Sequence, residues 1–524
     1  MAASDGGTRA ALTTARKAGL LEPGLVMATM ASFAFWGPTV ATAYASGGAR
    51  RPFRAAIIDD YGSVSYFQLN NRTDHVAGAL RRLGVGGSST VGIMCRNHRG
   101  FIEANVAAAK VGARVVYINT GLPADQLAVV ADREALELVL HDREFAPVVA
   151  DAGIETSVEV APEDDAGWSF PSLDRRHRLW RPLGPRGGND PVLLTSGTTG
   201  VPKGAKRPTS TGDAAGAAGL LEAIPYRVGD VMVVAAPLFH AWGLSQHLLA
   251  AALHGTVVLS RRFEPVHTLE LAHRHEAHVL AAVPVMLTRM LDADSSLRLR
   301  HTRVVATSGA PLPGDLALRW MDRHGDHLYN MYGSTEVGQA TVAGPGDLRE
   351  APGTAGRPPV GIELRVLGAD DRVLGAGEIG EVVVDSSFHF GGYTGSDGTK
   401  ATRDGAMVTG DTGYLDSDGR LFVTGRADDM IISGGENLYP QGIEDVLLAH
   451  QGVHQAAIVG VPDDDLGQRV RAFVVADDAV TEAALRRHAK AHLAVYEVPR
   501  DFVFVDDLPR NATGKILRRE LAER

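Results

Sequence analysis

The sequence is poor in cysteine and has fewer basic than acidic residues. Cys95 is its one cysteine among 524 residues, so no internal disulfide can form and a zinc site built on cysteines is excluded. Lys and Arg number 52 against 62 Asp and Glu, which gives a formal net charge of -10. That balance argues against a dedicated nucleic-acid-binding protein. Any anion must therefore be bound by local features of the chain.

Long hydrophobic runs are also absent. An uncharged stretch extends from Pro23 to Ala49, but Gly37-Pro38 and several Ser and Thr interrupt it. A membrane-spanning helix needs about 20 predominantly apolar residues, and a signal peptide needs a continuous apolar core. We therefore expect a cytoplasmic protein in which this stretch forms a helix packed on the main domain. A wall of an acyl pocket, or a peripheral membrane contact, is the alternative.

The order of apolar and amphipathic segments predicts an α/β fold. Apolar runs such as RAAIID and ARVVYIN alternate with helical stretches such as FIEANVAAAKVGA, which is typical of parallel sheets built from βαβ units. After Gly356 short β runs separated by turn residues predict antiparallel hairpins. Beyond GRADD the pattern is a small α+β domain. We predict a large N-terminal domain (1–427) of αβ-layered sheets plus a β-barrel-like part, and a small mobile C-terminal domain (428–524).

The stretch LLTSGTTGVPKGAKRP, from Leu193 to Pro208, indicates a phosphate-binding loop. It fails the Walker pattern, because Lys203 follows Pro202 and precedes Gly204. Its small residues can still turn backbone N–H groups and the hydroxyls of Ser196, Thr198 and Thr199 toward one point. A glycine-rich hairpin between two strands is the alternative for this motif taken alone.

With the motifs that follow, the sequence resembles the adenylate-forming superfamily, in its acyl-CoA synthetase branch. The match begins with the glycine-rich loop and continues, in the family's order, in six further motifs: PLFHAWG, SGAPLP, MYGSTE, VTGD, GRADDMIISGGEN and LPRNATGK. The resemblance covers about residue 59 to the C-terminus. It implies ATP, Mg²⁺ and coenzyme A as cofactors and a small-molecule carboxylic acid as substrate.

The resemblance also assigns residues to the nucleotide. The loop from Thr195 to Lys203, which includes Ser196, Gly197, Thr198, Thr199 and Gly200, would close over the β- and γ-phosphates. Tyr332 would lie against the adenine, Thr335 near the α-phosphate, and Glu336 would hold Mg²⁺. Asp411 and Arg426 would contact the ribose. The remaining nucleotide contacts that it implies are Gly309, Ala310, Pro311 and Gly333.

Two further assignments concern the acid and the C-terminal domain. By resemblance, His240 lies at the mouth of the acid pocket and Lys515 bridges the substrate carboxylate and the α-phosphate. Lys515 is one of only seven lysines, and a second, Lys203, also lies in a family motif. Their retention in an arginine-rich chain suggests that a compact ammonium is needed at both positions. Asp428 would be the domain hinge, and Gly434 and Gly435 would line a tunnel for the pantetheine thiol.

We therefore expect an ATP-dependent ligase that converts a carboxylic acid, fatty in preference to aryl, into acyl-AMP and then into a thioester with CoA. One alternative keeps the first step and transfers the acyl group to a carrier-protein thiol. An alternative of another class is a nucleotide-binding regulatory protein without catalysis. A homodimer is left open.

Overall fold

The computed structural model describes twelve segments of the chain: residues 13–162, 169–173, 190–195, 202–206, 219–293, 295–386, 390–395, 400–427, 429–433, 436–463, 466–511 and 514–524. The chain divides into two compact units. Unit 1 comprises Met1–Ala306, Pro359–Gly361 and Ser387–Lys400, and unit 2 comprises Thr307–Pro358, Ile362–Ser386 and Ala401–Arg524.

Unit 1 contains two largely parallel sheets. The first has the order β12-β11-β9-β10-β1-β2, in which β1–β10, β10–β9 and β11–β9 are parallel and β2 is antiparallel to β1. Its strands are β1 (Ala55–Asp59), β2 (Gly62–Ser65), β9 (Val231–Val234), β10 (Thr256–Val258), β11 (Val279–Ala282) and β12 (Val304–Thr307). Most of these strands are buried along their length, as expected for parallel strands covered on both faces.

The second sheet of unit 1 carries the glycine-rich loop at its edge. Its order is β6-β5-β3-β4-β7-β8, and only the last pair is antiparallel. Its strands are β3 (Thr90–Met94), β4 (Arg114–Tyr117), β5 (Leu138–Asp142), β6 (Ser157–Val160), β7 (Val192–Thr195) and β8 (Lys203–Lys206).

Helices fill the connections of unit 1. They are α1 (Pro23–Trp36), α2 (Val40–Arg50), α3 (Tyr66–Arg82), α4 (Arg99–Val111), α5 (Ala124–Glu134), α6 (Ala146–Asp151), α7 (Ala241–Ala252), α8 (Pro265–Arg274) and α9 (Pro284–Asp292). Local signals set their ends. Ser65 and Gln68 form a capping box at the start of α3, and Gly112 takes a left-handed conformation after α4.

Unit 2 is built mainly from antiparallel strands. A hairpin joins β13 (Leu328–Ser334) to β14 (Gly338–Ala343), between α10 (Gly314–His324) and α11 (Pro345–Glu350). A five-stranded sheet has the order β15-β16-β18-β17, with β19 paired to β18. Its strands are β15 (Ile362–Leu367), β16 (Gly380–Ser386), β17 (Thr402–Arg403), β18 (Ala406–Leu415) and β19 (Leu421–Arg426).

The C-terminal part of unit 2 is a second five-stranded sheet with helices. Its order is β21-β20-β23-β22, with β24 parallel to β23. Its elements are β20 (Ile431–Ser433), β21 (Glu436–Leu438), α12 (Pro440–Leu448), β22 (Val453–Asp463), β23 (Gly467–Ala476), α13 (Glu482–His492), β24 (Asp501–Phe504) and α14 (Arg518–Ala522). Side chains such as Ile443, Leu447, Ile458 and Leu485 form its core.

The predicted fold class is confirmed: parallel αβ sheets come first, antiparallel hairpins follow, and a small α+β part ends the chain. The uncharged N-terminal stretch forms two helices instead of one, because Gly37 and Pro38 end α1 before α2 begins. The division into domains at residue 428 stays a prediction.

Candidate functional site

In unit 2 three of the predicted nucleotide residues meet. The Tyr332 hydroxyl on β13 donates a hydrogen bond to Asp411 Oδ2 at 2.6 Å. Arg426 Nη1 donates to Asp411 Oδ1 at 3.3 Å, from the position directly opposite Asp411 in the β18–β19 pair. Sequence-distant residues assigned to the adenine and the ribose thus form one hydrogen-bonded group, which we call the Asp411 cluster (Tyr332, Asp411 and Arg426).

The electrostatics keep the Tyr332 hydroxyl protonated. Burial raises the pKa of Tyr332 well above its ordinary value, and the negative charge of Asp411 adds to that effect. Tyr332 therefore stays a phenol and donates its proton, while Asp411 accepts. A carboxylate is chemically suited to accept hydrogen bonds from a pair of vicinal hydroxyls.

The backbone around Tyr332 is fixed closely. Pairing between β13 and β14 shifts register between Tyr332 and Gly333, and such a bulge re-aims neighbouring side chains. A Cβ atom at Gly333 would collide with the carbonyl oxygen of Gly338 on β14, so the position requires glycine. The two strands can therefore approach only because residue 333 has no side chain.

The turn after β13 presents Thr335 and Glu336, both half-buried. Ser334 Oγ accepts hydrogen bonds from the backbone N–H groups of Glu336 at 3.3 Å and Val337 at 3.2 Å. These bonds hold the turn in shape. Carboxylate oxygens are preferred Mg²⁺ ligands, so the predicted metal residue has suitable chemistry in a fixed turn.

The SGAPLP motif lies in the loop that joins β12 to α10. Gly309 adopts φ +88°, a left-handed conformation that favours glycine. Ala310 is half-buried, and Pro311 is exposed. The predicted nucleotide role of these three residues stays a prediction.

In unit 1 the glycine-rich loop connects β7 to β8. Thr195 and Lys203 are paired across this antiparallel hairpin, and residues 196–201 between them lie outside the described residues. The predictions for Ser196, Gly197, Thr198, Thr199 and Gly200 fall there. Lys203 is exposed, and its Nζ lies 5.4 Å from the centre of the Tyr393 ring.

The base of this loop is held by residues that the sequence reasoning missed. Arg133 on α5 donates from Nη1 to the carbonyl oxygen of Pro202 at 2.6 Å. Thr394 donates its backbone N–H to the Gly204 carbonyl at 2.8 Å, and its hydroxyl donates to the buried carboxylate of Glu134. A Cβ at Gly204 would collide with Thr394 and Glu134. In the sequence, only the glycine-rich segment GGYTG could have indicated that this region holds the loop.

His240 precedes α7 in the PLFHAWG motif. Its ring packs on Phe239 with 4.5 Å between ring centres, and its Nε2 is buried without a hydrogen-bond partner among the described residues. Burial lowers the pKa of His240 to about 3, so the ring is neutral. Asn97 positions this segment by donating to the Ala236 carbonyl at 2.9 Å and accepting from the Leu238 N–H at 2.9 Å.

Lys515 lies in a tight turn near the C-terminus. Asn511 N–H donates to the Lys515 carbonyl and Lys515 N–H donates to Asn511 Oδ1, both at 2.9 Å. The backbone is therefore fixed while the side chain is exposed. Asp428, Gly434 and Gly435 lie outside the described residues, although the strands beside the two glycines pair Ser433 with Glu436.

One buried group outside these motifs has metal-ligating side chains: Cys95, His98 and Asp142. Both ring nitrogens of His98 are engaged, because Nδ1 accepts from Gly100 N–H at 3.0 Å and Nε2 faces Asp142 Oδ1 at 2.7 Å. Burial also raises the pKa of the Cys95 thiol well above its ordinary value. The arrangement fits a structural hydrogen-bond network better than a metal site.

Within the described part of the chain, none of the helices has the length and apolar character needed to cross a bilayer.

Comparison with known proteins identifies the family of this chain. The AMP-binding enzyme family model matches residues 45–394, and the model of the AMP-binding enzyme C-terminal domain matches residues 442–515. A 2-succinylbenzoate–CoA ligase of Bacillus cereus (strain Q1) is 32% identical over 482 residues, covering 90% of this chain and 96% of that protein. The fatty acid–[acyl-carrier-protein] ligase ScoC of Streptomyces coeruleorubidus is 32% identical over 501 residues, covering 90% and 94%.

A solved structure is also similar in fold. ATP-bound MatB from Rhodopseudomonas palustris matches with a TM-score of 0.82 and 27% identity, covering 92% of this chain and 98% of that one. Enzymes of this kind are AMP-forming acid ligases whose cofactors are ATP, Mg²⁺ and CoA. The chain belongs to the AMP-binding enzyme family.

Proposed function

We propose that the protein is an ATP-dependent acid–CoA ligase that acts through an acyl-AMP, with a fatty acid as its substrate. The observation that carries the nucleotide half of this proposal is the Asp411 cluster. Its carboxylate accepts hydrogen bonds from Tyr332 at 2.6 Å and from Arg426 at 3.3 Å, and a carboxylate held in a fixed position is suited to bind ribose hydroxyls.

In the first step a carboxylate oxygen of the acid attacks the α-phosphorus of ATP. The bond from that phosphorus to the bridging oxygen breaks, and pyrophosphate leaves. Because anions meet, the protein must neutralise charge and align the groups. We assign Thr335 to the α-phosphate, the loop from Thr195 to Lys203 to the outer phosphates, and Lys515 to the substrate carboxylate. Glu336 would hold Mg²⁺, which supplies positive charge against the phosphates.

In the second step the thiol sulfur attacks the acyl carbonyl carbon, the bond to the AMP oxygen breaks, and the thiol proton is released. We propose that the C-terminal domain turns about Asp428 between the steps. Gly434 and Gly435 would then line the path of the thiol. The Ser433–Glu436 pairing is compatible with this role, because it leaves only these two glycines between the strands.

The choice of a fatty acid depends on the surroundings of His240. Its neighbours Phe239 and Trp242 are buried and apolar, and its own ring is neutral because burial lowers its pKa to about 3. Such a segment suits an acid with an apolar body. An aryl acid is the second candidate, and the 32% identity to a 2-succinylbenzoate–CoA ligase favours it.

The acceptor and the location are part of the same proposal. We propose free CoA as the acceptor, with a carrier-protein thiol as the alternative because ScoC, with 32% identity, is a fatty acid–[acyl-carrier-protein] ligase. We place the reaction in the cytoplasm, where ATP and CoA are available. Contact with a membrane surface is a separate proposal that depends on α1.

The test is product analysis by mass spectrometry. The purified protein is incubated with ATP and Mg²⁺ and with fatty acids of increasing length, benzoates or 2-succinylbenzoate, in the presence of CoA, of a phosphopantetheine-bearing carrier protein, or of neither. Acyl-CoA from fatty acids supports the proposal. Turnover of aryl acids alone would show that the substrate is an aryl acid. Acylated carrier protein without acyl-CoA would show that the acceptor is a carrier-protein thiol. If no acid leads to AMP formation, the proposal that the protein is a ligase is refuted.

A further inference from the structure

Helix α1 presents an apolar face to the outside of unit 1. Four large side chains on it are strongly exposed: Met27 at 71%, Met30 at 69%, Phe33 at 44% and Phe35 at 55%. Val26, Ala31 and Ala34 are exposed beside them. We call these seven residues the α1 face. It contains no charged or polar side chain.

An ordinary surface helix shows the opposite pattern, with charged or polar residues toward water. Single exposed apolar residues are normal, but a contiguous apolar patch marks an interaction site. All of α1, from Pro23 to Trp36, is uncharged. The α1 face is therefore not explained by burial within unit 1.

The inner side of α1 is firmly attached. Leu25, Ser32 and Trp36 are buried, and they recur at helical spacing. The ammonium of Lys110 lies 5.5 Å from the centre of the Trp36 ring. Lys110 is itself buried and donates to Asp74 Oδ1 at 2.7 Å. The helix thus has one side packed on the protein and the other side exposed to solvent.

Positive charges accompany α1. Arg16 and Lys17, which are exposed, precede it. Arg50, at the end of α2, is paired with Glu22 at the start of α1, so the two helices are antiparallel neighbours. Residues 13–54 contain five Lys or Arg and one acidic residue, whereas the whole chain carries -10. An apolar helix face with nearby cations matches an anionic lipid surface.

The size of the α1 face argues against a second copy of the chain as its occupant. The α1 face has seven residues, whereas a stable protein interface takes about 20–30 residues from each partner. The 14 residues of α1 make a helix roughly 21 Å long. The same length is below the roughly 30 Å of a bilayer core, so α1 would lie in the interface and not span it.

We propose that the α1 face docks this protein on an anionic membrane surface, with Met27, Met30 and Phe33 inserted among the lipid chains. Arg16 and Lys17 would contact the headgroup phosphates. The proposal concerns attachment and does not depend on which acid the enzyme uses.

The test is co-sedimentation of the full-length protein with vesicles. One vesicle type contains phosphatidylcholine alone, and the other contains phosphatidylcholine mixed with phosphatidylglycerol. We expect the wild type to bind the mixed vesicles more tightly. Met30→Glu and Phe33→Glu should each weaken that binding about tenfold or more, because a charge replaces a buried apolar side chain. Arg16→Gln should weaken binding to the mixed vesicles and leave binding to the phosphatidylcholine vesicles unchanged.

Val129→Glu is the matched control, since Val129 is also a helical apolar residue, 49% exposed, on α5. It adds the same charge and should leave binding within about twofold of the wild type. Wild-type protein that stays in solution with both vesicles overturns the proposal, as does equal loss in Val129→Glu and Met30→Glu. A dimer seen by light scattering that Met30→Glu dissociates, without vesicle binding, would assign the face to a second copy.

Discussion

Replacing Tyr332 by Phe removes one atom from the Asp411 cluster and leaves the ring in place. In the wild type the Tyr332 hydroxyl lies 2.6 Å from Asp411 Oδ2, whereas Arg426 Nη1 is 3.3 Å from Oδ1. The shorter bond is the better-formed one by the usual geometry of charge-assisted hydrogen bonds. Tyr332 therefore contributes more than Arg426 to the position of the carboxylate.

The size of the effect follows from that geometry. A hydrogen bond to a charged group contributes about 1.5–3 kcal/mol. Asp411 keeps Arg426 in the variant, so we expect the lower end, about 1.5 kcal/mol, or near a tenfold loss in kcat/KM for ATP. Since the cluster is assigned to the nucleotide, KM for ATP should rise while KM for the acid stays within about twofold.

The assay is acid-dependent release of AMP at varied ATP and then at varied acid. Tyr414→Phe is the control, because Tyr414 lies on the same strand as Asp411 and its ring stacks on Phe422 with 5.1 Å between centres. It should behave as the wild type. If KM for ATP in Tyr332→Phe is unchanged, or KM for the acid rises equally, the assignment of the cluster to ATP is refuted.

Three further predictions concern other residues. Lys515→Ala should slow acyl-AMP formation by about 10²–10³-fold and spare thioester formation from supplied acyl-AMP; equal loss in both half-reactions, measured separately, would contradict its role. Thr394→Val removes the hydroxyl that donates to the buried Glu134, so the free energy of unfolding in urea should fall by about 1–3 kcal/mol and KM for ATP should rise; an unchanged KM would separate this contact from the loop. Burial lowers the pKa of His247 to about 3, against about 6.5 in an unfolded chain. Between about pH 3 and pH 6.5 only the unfolded chain binds this proton, so the free energy of unfolding rises with pH by up to about 1.4 kcal/mol per pH unit. His247→Phe should flatten that dependence in urea unfolding at several pH values, and an unaltered slope would mean that His247 titrates normally.

The elements of the fold were predictable where the apolar period was clear. RAAIID became β1 and FIEANVAAAKVGA became α4, because a short apolar run and a longer run with apolar residues at helical spacing leave distinct patterns. The GYLDSDGRLFVTGR hairpin, now β18–β19, was predictable from its DSDG turn. The N-terminal stretch was less so, because a break at Gly37 divides an otherwise uniform uncharged sequence.

The candidate site was predictable motif by motif but not as geometry. Tyr332, Asp411 and Arg426 were assigned from local patterns, yet their hydrogen bonds join residues 79 and 15 positions apart in the chain. The sequence did not indicate the contacts of Arg133 and Glu134, since a charged pair at the end of α5 is typical of a solvated surface. Such contacts depend on tertiary packing, which a one-dimensional pattern does not contain.

The most direct test of acyl-AMP chemistry follows the oxygen atoms of the acid. A carboxylic acid labelled with ¹⁸O at both oxygens is incubated with the protein, ATP, Mg²⁺ and CoA, and the nucleotide product is analysed by mass spectrometry. Attack of the carboxylate on the α-phosphorus predicts AMP that carries one ¹⁸O atom. ADP together with labelled phosphate, or AMP without the label, would contradict the account.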